Sequence, residues 1–137
     1  MTKLEDALTT VLAADTAVTT IVSDRIYPVS MPKGTVLPAV TYRRISAQRA
    51  YTFDAFDTGS AYVNATVEFS AWSNNAKEAM DVGEALVMAL SGYSGDVDGT
   101  LVGSSFAELE LDDYNGETKL FRRIVDFRIG YEDDVHS

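Results

Sequence analysis

Cysteine is absent from the 137-residue chain, and histidine occurs once, at His136 next to the last residue. Without cysteine there is no disulfide framework and no thiolate chemistry. Catalytic triads and zinc sites need imidazole or thiolate groups in a fixed position, which a chain terminus does not offer. The phosphate-binding patterns GxxxxGK(S/T) and GxGxxG are also missing. The sequence therefore predicts no catalytic residue, no metal site and no cofactor.

Basic side chains are scarce: 11 lysines and arginines stand against 21 aspartates and glutamates, which gives a net charge of −10. Such a field repels a phosphate backbone, so we expect no specific binding of DNA. The apolar runs are far shorter than the ~20 residues of a membrane span, and the N-terminal residues lack the apolar core of a secretion signal. We therefore expect no membrane partner.

Length and composition are typical of one globular domain. Apolar residues make up 46% of the chain and charged residues 23%, and 137 residues are enough to enclose one core. We assign residues 1–137 to a single domain. Its folded core is expected over 3–131, and the acidic stretch 132–137 is expected to be a disordered tail.

Hydrophobic periodicity predicts the secondary structure. Apolar residues at helical spacing indicate a helix over 3–14, a short helical turn up to Val22, and a long helix over about 74–91. The predicted strands cover residues 25–27, 39–49, 62–72, 101–112 and 118–131. This order predicts an α+β fold. We expect an antiparallel sheet of four to five strands, with the long helix and the N-terminal helix packed on one face.

The last two predicted strands form a hairpin around Tyr114-Asn115-Gly116. A two-residue Asn-Gly turn would mix apolar and charged residues on both faces. A three-residue loop instead pairs Leu109 with Phe121 and Glu108 with Arg122, which gathers the apolar residues on one side. We expect that register. It leaves Arg123 on the inner face, where its guanidinium needs a partner.

The segment from Arg25 to Tyr42 contains all three prolines of the chain, between two predicted strands. Prolines stiffen a loop and remove backbone donors that would otherwise invite edge pairing. A stiff loop of this kind suits contact with another protein. The residues that we assign to an interface here are Tyr27, Pro28, Met31, Pro32, Lys33 and Pro38.

Four residues outside the loop are also candidates for an interface. Arg43 and Arg44 form the main basic neighbourhood, although adjacent strand residues point to opposite faces. Tyr62 and Trp72 fall on the polar face of the clearest strand, where exposed aromatic side chains are typical of protein interfaces. We expect these residues to contact an acidic neighbouring subunit or another protein.

Two acidic patterns could be sites, and neither is complete. Ser94 to Gly99 resembles half of a calcium-binding loop, but Ser105 stands where the bidentate Glu belongs. Glu108 and Glu110 are spaced like paired catalytic carboxylates, yet the predicted register puts them on the outer sheet face beside Arg122. We expect a polar turn and cross-strand ion pairs.

Four short pieces of the chain together resemble a known family. They are DRIYP at 24–28, LPAVTYRRIS at 37–46, the alternating strand from Val63 to Trp72, and the helix from Ala76 to Leu90. Their order and spacing resemble the tail-completion, or tail-terminator, proteins of long-tailed bacteriophages and prophages. The resemblance covers roughly residues 4–131.

The resemblance implies a structural virion protein and not an enzyme. Proteins of this family form a ring, usually a homohexamer, at the head-proximal end of the tail. The ring caps the tail tube, stops its polymerisation and docks to the head-closure or connector protein after assembly in the host cytoplasm. DNA would pass through the ring without specific binding. A lumen that repels the DNA phosphates would fit the net negative charge of the chain. The carboxylates that we assign to this lumen are Asp54, Asp57, Glu108 and Glu110.

Two other functions remain open from the sequence. A head-closure or neck adaptor protein shares the small α+β build and the ring habit, and gene position beside the major tail protein would separate the two. A small binding or hydrolase domain belongs to a different class. It would need a pocket with convergent polar groups.

Overall fold

The computed structural model describes residues 3–50, 60–97 and 99–134. The elements within these residues, in chain order, are α1 (Lys3–Ala14), α2 (Thr16–Val22), β1 (Ile26–Pro28), β2 (Ala39–Ala50), β3 (Ser60–Ser73), α3 (Ala76–Leu90), β4 (Gly95–Val97), β5 (Thr100–Asn115) and β6 (Leu120–Asp134). The fold is mixed α+β, as the periodicity predicts.

The strands form one sheet in the order β1-β2-β3-β6-β5-β4. β1 pairs with β2 in parallel, and the other neighbours pair antiparallel. The sheet thus has six strands among the described residues, and not the expected four to five. β4 has only three residues in a glycine-rich stretch, too few for a period-two pattern to appear in the sequence.

One face of the sheet is covered by the helices, and the core lies between them. The odd-numbered side chains of β3, from Val63 to Ala71, are buried together with those of β6 from Val125 to Tyr131. Apolar side chains of α1, α2 and α3 pack against them. We call the opposite face, which carries the even-numbered residues of β3 and β6, the uncovered face.

Helix α3 begins and ends where the sequence predicts. Asn75 is the N-cap, and its side chain accepts a hydrogen bond from the N–H of Glu78 at 3.2 Å. Gly92 follows the helix with φ of +81°, a conformation that glycine adopts without strain. In the middle of α3, Gly83 passes so close to β6 that a Cβ atom there would lie 2.3 Å from Cγ of Arg123.

The predicted register of the last hairpin is wrong. Tyr114 pairs with Phe121 and Asp113 with Arg122, so the turn consists of residues 116–119. Asn115 closes this longer turn, because its Oδ1 accepts hydrogen bonds from the N–H groups of Glu117 and Thr118 at 2.9 and 3.2 Å.

A β-bulge between Ala107 and Leu109 also shifts the pairing of β5 with β6. Because the bulge adds one residue to β5, each residue after it lies on the opposite face of the sheet from the face that strict alternation predicts. An argument from a period of two cannot anticipate this change. Leu109 therefore lies opposite Asp126 on the uncovered face and not in the core. At the other end of the hairpin, β6 continues to Asp134, three residues into the stretch that was expected to be a tail.

Candidate assembly surfaces

The proline segment between β1 and β2 is fixed at its base and exposed at its tip. Nε of Arg25 donates to the carbonyl oxygen of Pro38 at 3.0 Å, and the N–H of Val29 donates to the carbonyl oxygen of Tyr42 at 2.8 Å. The side chains of Val29, next to the base, and Val36, nearer the tip, are 72% and 66% exposed. The loop therefore presents apolar side chains on a base that is held by hydrogen bonds.

The predicted contact residues of this segment differ in accessibility. Pro28, Pro32 and Lys33 are exposed, whereas Tyr27 and Met31 are half-buried. Pro38 is buried and follows a cis peptide bond, so it anchors the loop and is not on its surface. A contact role for the exposed residues stays a prediction.

Arg43 and Arg44 lie on opposite faces of β2, as adjacent strand residues must. Arg43 is on the uncovered face, with a side chain 58% exposed and Nε 3.2 Å from Oε1 of Glu68. Arg44 is on the covered face, where Nη2 lies 2.8 Å from Oε1 of Glu5 in α1. Its guanidinium also lies 5.6 Å from the ring centre of Tyr131. Arg44 therefore holds α1 against the sheet within the chain.

Trp72 lies on the uncovered face and is half-buried. Its Nε1 donates to Oγ1 of Thr41 at 2.9 Å, and the guanidinium of Arg122 lies 5.0 Å from its ring centre. These contacts orient the indole and leave part of it accessible to a partner. The backbone of Tyr62 belongs to β3, but its side chain falls outside the described residues.

Of the four carboxylates assigned to a lumen, the two in the described residues lie on opposite faces of the sheet. Glu108 is exposed and lies 3.6 Å from Nη1 of Arg128, on the uncovered face. Glu110 points to the covered side, where it lies 3.6 Å from Nη1 of Arg123. Its predicted place beside Arg122 is wrong, because Arg122 pairs with Asp113 at 2.9 Å. Asp54 and Asp57 lie outside the described residues.

Arg123 lies on the covered face, as the sequence predicted, and its guanidinium forms an ion pair with Asp112. Its Nε and Nη2 donate to the two carboxylate oxygens of Asp112 at 2.5 and 3.1 Å. This hydrogen bonding holds the pKa of Asp112 below its ordinary value and raises the pKa of Arg123. The arginine stem stays packed beneath Gly83 while the charged end reaches the sheet edge.

Asp126 is the carboxylate that sequence reasoning missed. It lies in the middle of the uncovered face, and its Oδ1 is buried without a hydrogen bond from the described residues. Burial raises its pKa, the neighbouring carboxylates of Glu68 and Glu108 raise it further, and Arg43 opposes them. The ionised form of Asp126 is therefore disfavoured in the folded protein.

Asp126→Asn is expected to increase the free energy of unfolding at pH 7 by about 1 kcal/mol. A carboxylate whose pKa is raised on folding stabilises the fold at low pH and loses that contribution as the pH rises through its folded pKa. The increase in the free energy of unfolding that Asp126→Asn gives should thus shrink as the pH falls toward 3.8, the ordinary pKa of an aspartate side chain. Urea unfolding followed by the fluorescence of Trp72 measures it, with Asp24→Asn at an exposed position as the control. An equal effect of both variants at all pH values would contradict the prediction.

Apolar side chains are exposed along the outer strand β5, where the sequence predicted a core position for Leu109. Phe106, Leu109 and Leu111 are 57%, 48% and 42% exposed. On the covered side, a groove of about 390 Å³ separates the first half of α3 from the end of the β5–β6 hairpin. Its apolar lining includes Met80, Tyr114 and Phe121. Both faces of the sheet around β5 therefore present more apolar surface than the periodicity of the sequence indicates.

The other chemical alternatives find little support in the described residues. No cluster of three or more His, Asp or Glu side chains in that part of the chain could hold a metal ion. Oδ1 of Asp96 accepts a hydrogen bond from the N–H of Gly99 at 2.9 Å, as in an ordinary polar turn. None of the helices in the described ranges is both long enough and apolar enough to cross a membrane.

Comparison with known proteins covers nearly the whole domain. The family model described as "Tail completion protein gp17" matches residues 6–132. A solved structure titled "Virion of native gene transfer agent (GTA) particle" contains a chain with the same fold. The TM-score is 0.78 and the identity 19%, over 95% of each chain. No curated protein sequence matches significantly.

Proposed function

The chain belongs to the tail completion protein gp17 family, which makes it a structural protein of phage tails, and on that premise we propose that it is a tail terminator. In this role several copies form a ring that caps the head-proximal end of the tail tube. The observation that carries the proposal is the family match over residues 6–132, which includes α2, α3, most of α1 and nearly all of the sheet.

The described surfaces fit a role in contact better than a role in catalysis. Exposed apolar side chains occur at the tip of the proline segment and along β5, far from one another in the sheet order. Two separate contact regions are what a subunit needs to bind one neighbour on each side. On the uncovered face, Arg43 and Arg128 are engaged in ion pairs with Glu68 and Glu108.

We assign three kinds of partner to the ring. Other copies of the chain form it, with six as the expected number. The tail tube protein binds one side, and a head-closure or connector protein binds the other. The exposed residues of the proline segment, Pro28, Pro32 and Lys33, are proposed to contact one of these partners. Because the loop is stiffened by proline and tied down at its base, little conformational entropy is lost on docking.

The ring is proposed to end tube growth by covering the surface to which the next tube subunits would add. It would be assembled in the host cytoplasm and remain in the virion. DNA would pass through its channel without specific binding, because the net charge of −10 disfavours adhesion of a phosphate backbone. A lumen position for Glu108, which is exposed on the uncovered face, is part of this proposal.

Electron microscopy of the purified protein, alone and mixed with tail tube subunits, tests the proposal. We expect rings from the protein alone and tubes with one capped end and shortened length in the mixture. Tube protein without the terminator is the control and should give long tubes of variable length. Unchanged tube lengths, with the protein bound only to the head connector, would instead identify a neck adaptor.

A further inference from the structure

The sheet has two edge segments that no strand covers among the described residues. β1 pairs only with Val40 to Tyr42 of β2, so residues 43–50 have a free edge. β4 pairs only with Thr100 to Val102 of β5, and Ser91 and Gly92 bond to Ala107 and Ser105 just beyond. Residues 108–115 of β5 therefore have a second free edge. We call the two segments the β2 edge and the β5 edge.

Every second residue of the β5 edge directs its backbone N–H and C=O groups away from the sheet. The alternation can be followed from β2, where the N–H of Val40 donates to Arg25 just before β1 and not to β3. The neighbouring residues Ala39 and Thr41 therefore direct their backbone groups toward β3. Antiparallel pairing carries this alternation across the sheet through the registers of β3, β6 and β5. It leaves the backbone N–H and C=O groups of Glu110, Asp112 and Tyr114 directed away from β6. The N–H of Tyr114 donates to Oδ1 of Asp113 at 2.9 Å. The other groups form a row of outward donors and acceptors that another strand can use.

The two edges carry opposite charges. Residues 43–50 include three arginines and no acidic residue, and Arg43 and Arg44 pair with Glu68 and Glu5 of the same copy. Residues 108–115 include four acidic residues and no basic one. The four carboxylates also outnumber the three arginines of β6 that pair with them. Two β5 edges or two β2 edges would repel each other, while a β2 edge and a β5 edge attract.

From these observations we propose that neighbouring copies of the chain join through their sheet edges. The β2 edge of one copy pairs with the β5 edge of the next, as antiparallel strands in one continuous sheet. The inference rests on the proposed ring, because it names the surface through which the copies would meet. Pairing of two different edges is a heterologous contact, and contacts of that kind close into rings when the rotation permits.

Strand directions agree with this arrangement. Within one copy β2 and β5 run in opposite directions, and rotation about a ring axis preserves them, so the new pair is antiparallel. Arg43 and Leu109 lie in one row of the sheet, and the two edges extend from that row toward opposite ends. Neighbouring copies must then be offset along the strand direction. Such an offset inclines the strands to the ring axis, as in closed barrels.

Pairing would also cover apolar side chains that are now in solvent. Ile45, at the bulge of β2, and Leu109 and Leu111, on β5, are all at least 42% exposed. They lie on the two strands that would become neighbours. Burial of such groups stabilises an interface in which the charged side chains determine which edges meet.

The experiment compares Glu110→Pro with Glu110→Ala. Both variants lose the carboxylate, but only proline removes the outward N–H and adds a ring where the neighbouring strand would lie. Light scattering and electron microscopy should show rings for Glu110→Ala. For Glu110→Pro the concentration at which rings dissociate should rise about tenfold or more. Because the lost N–H makes no bond within the sheet, urea unfolding should give similar midpoints for the two variants.

Amide hydrogen exchange of the unmodified protein gives a second test that needs no variant. In rings, the amides of Glu110 and Asp112 should exchange at least about tenfold more slowly than in dissociated protein. Rings of Glu110→Pro that dissociate at the same concentration as those of Glu110→Ala, or outward amides that exchange equally fast in both states, would overturn the edge pairing and leave the ring proposal standing. Protein that stays monomeric even with tail tube subunits would overturn both.

Discussion

Replacement of Phe69 by alanine is expected to lower the free energy of unfolding by about 3–5 kcal/mol. Phe69 is fully buried in β3, between the sheet and the helices. Its ring centre lies 5.9 Å from that of Tyr42 and 5.6 Å from that of Phe127, which it meets edge to face. Alanine would remove the transfer free energy of the ring and leave a cavity among three strands that cannot collapse without losing their pairing.

Urea unfolding of the dissociated protein, followed by circular dichroism, measures this loss. Phe69→Leu is the matched control, because it keeps an apolar side chain of intermediate size and should cost clearly less. Met88→Ala, at a helix position that is 84% exposed, should cost little. A loss below about 1 kcal/mol for Phe69→Ala would mean that the three aromatic rings do not form the centre of the core.

Gly83→Ala is expected to destabilise the protein by about 1–3 kcal/mol, although alanine is the better helix former. The reason is the approach of α3 to β6, where a Cβ at position 83 would lie 2.3 Å from Cγ and 3.2 Å from Cβ of Arg123. These atoms belong to the base of the arginine side chain, and its far end is held by Asp112. The helix must therefore move away from the sheet, or the ion pair must break.

The same substitution should cost much less when Arg123 is already alanine. With the arginine stem removed, the 2.3 Å contact with Cγ disappears and the 3.2 Å contact with Cβ of residue 123 remains, so the higher helix propensity of alanine, up to about 1 kcal/mol, offsets most of the strain. A double-mutant cycle in urea measures the difference, and Arg123→Ala alone is the reference. Equal effects of Gly83→Ala in the two backgrounds would show that Arg123 is not what requires glycine at this position.

The elements that the sequence predicted well are those whose cause is local. The alternation from Val63 to Trp72 gave β3 and its buried face, because a pleated strand sends successive side chains to opposite sides. Asn75 marked the start of α3 because an amide oxygen at the N-cap satisfies a free N–H of the first turn. The short pieces around Asp24–Pro28 and Leu37–Ser46 led to the family that the comparison shows.

The features that sequence reasoning missed depend on distant parts of the chain. The bulge after Ala107 moved Leu109 from the expected core to the uncovered face. Arg44, considered for an intermolecular contact, pairs with Glu5 in α1, 39 residues away along the chain. Asp126 drew no attention in the sequence, because its pKa is raised first by burial within the sheet and then by the carboxylates of Glu68 and Glu108 on two other strands.

By itself the sequence determined the fold class, the covered face of the central strand, the absence of cysteine chemistry and the family. These follow from side-chain periodicity, capping and composition, all of which act over a few residues or over the whole chain at once. Only the tertiary structure decided the hairpin register, the partners of the arginines and which strand edges stay open. Each of these depends on which strands become neighbours, and a one-residue slip changes the face of every side chain beyond it.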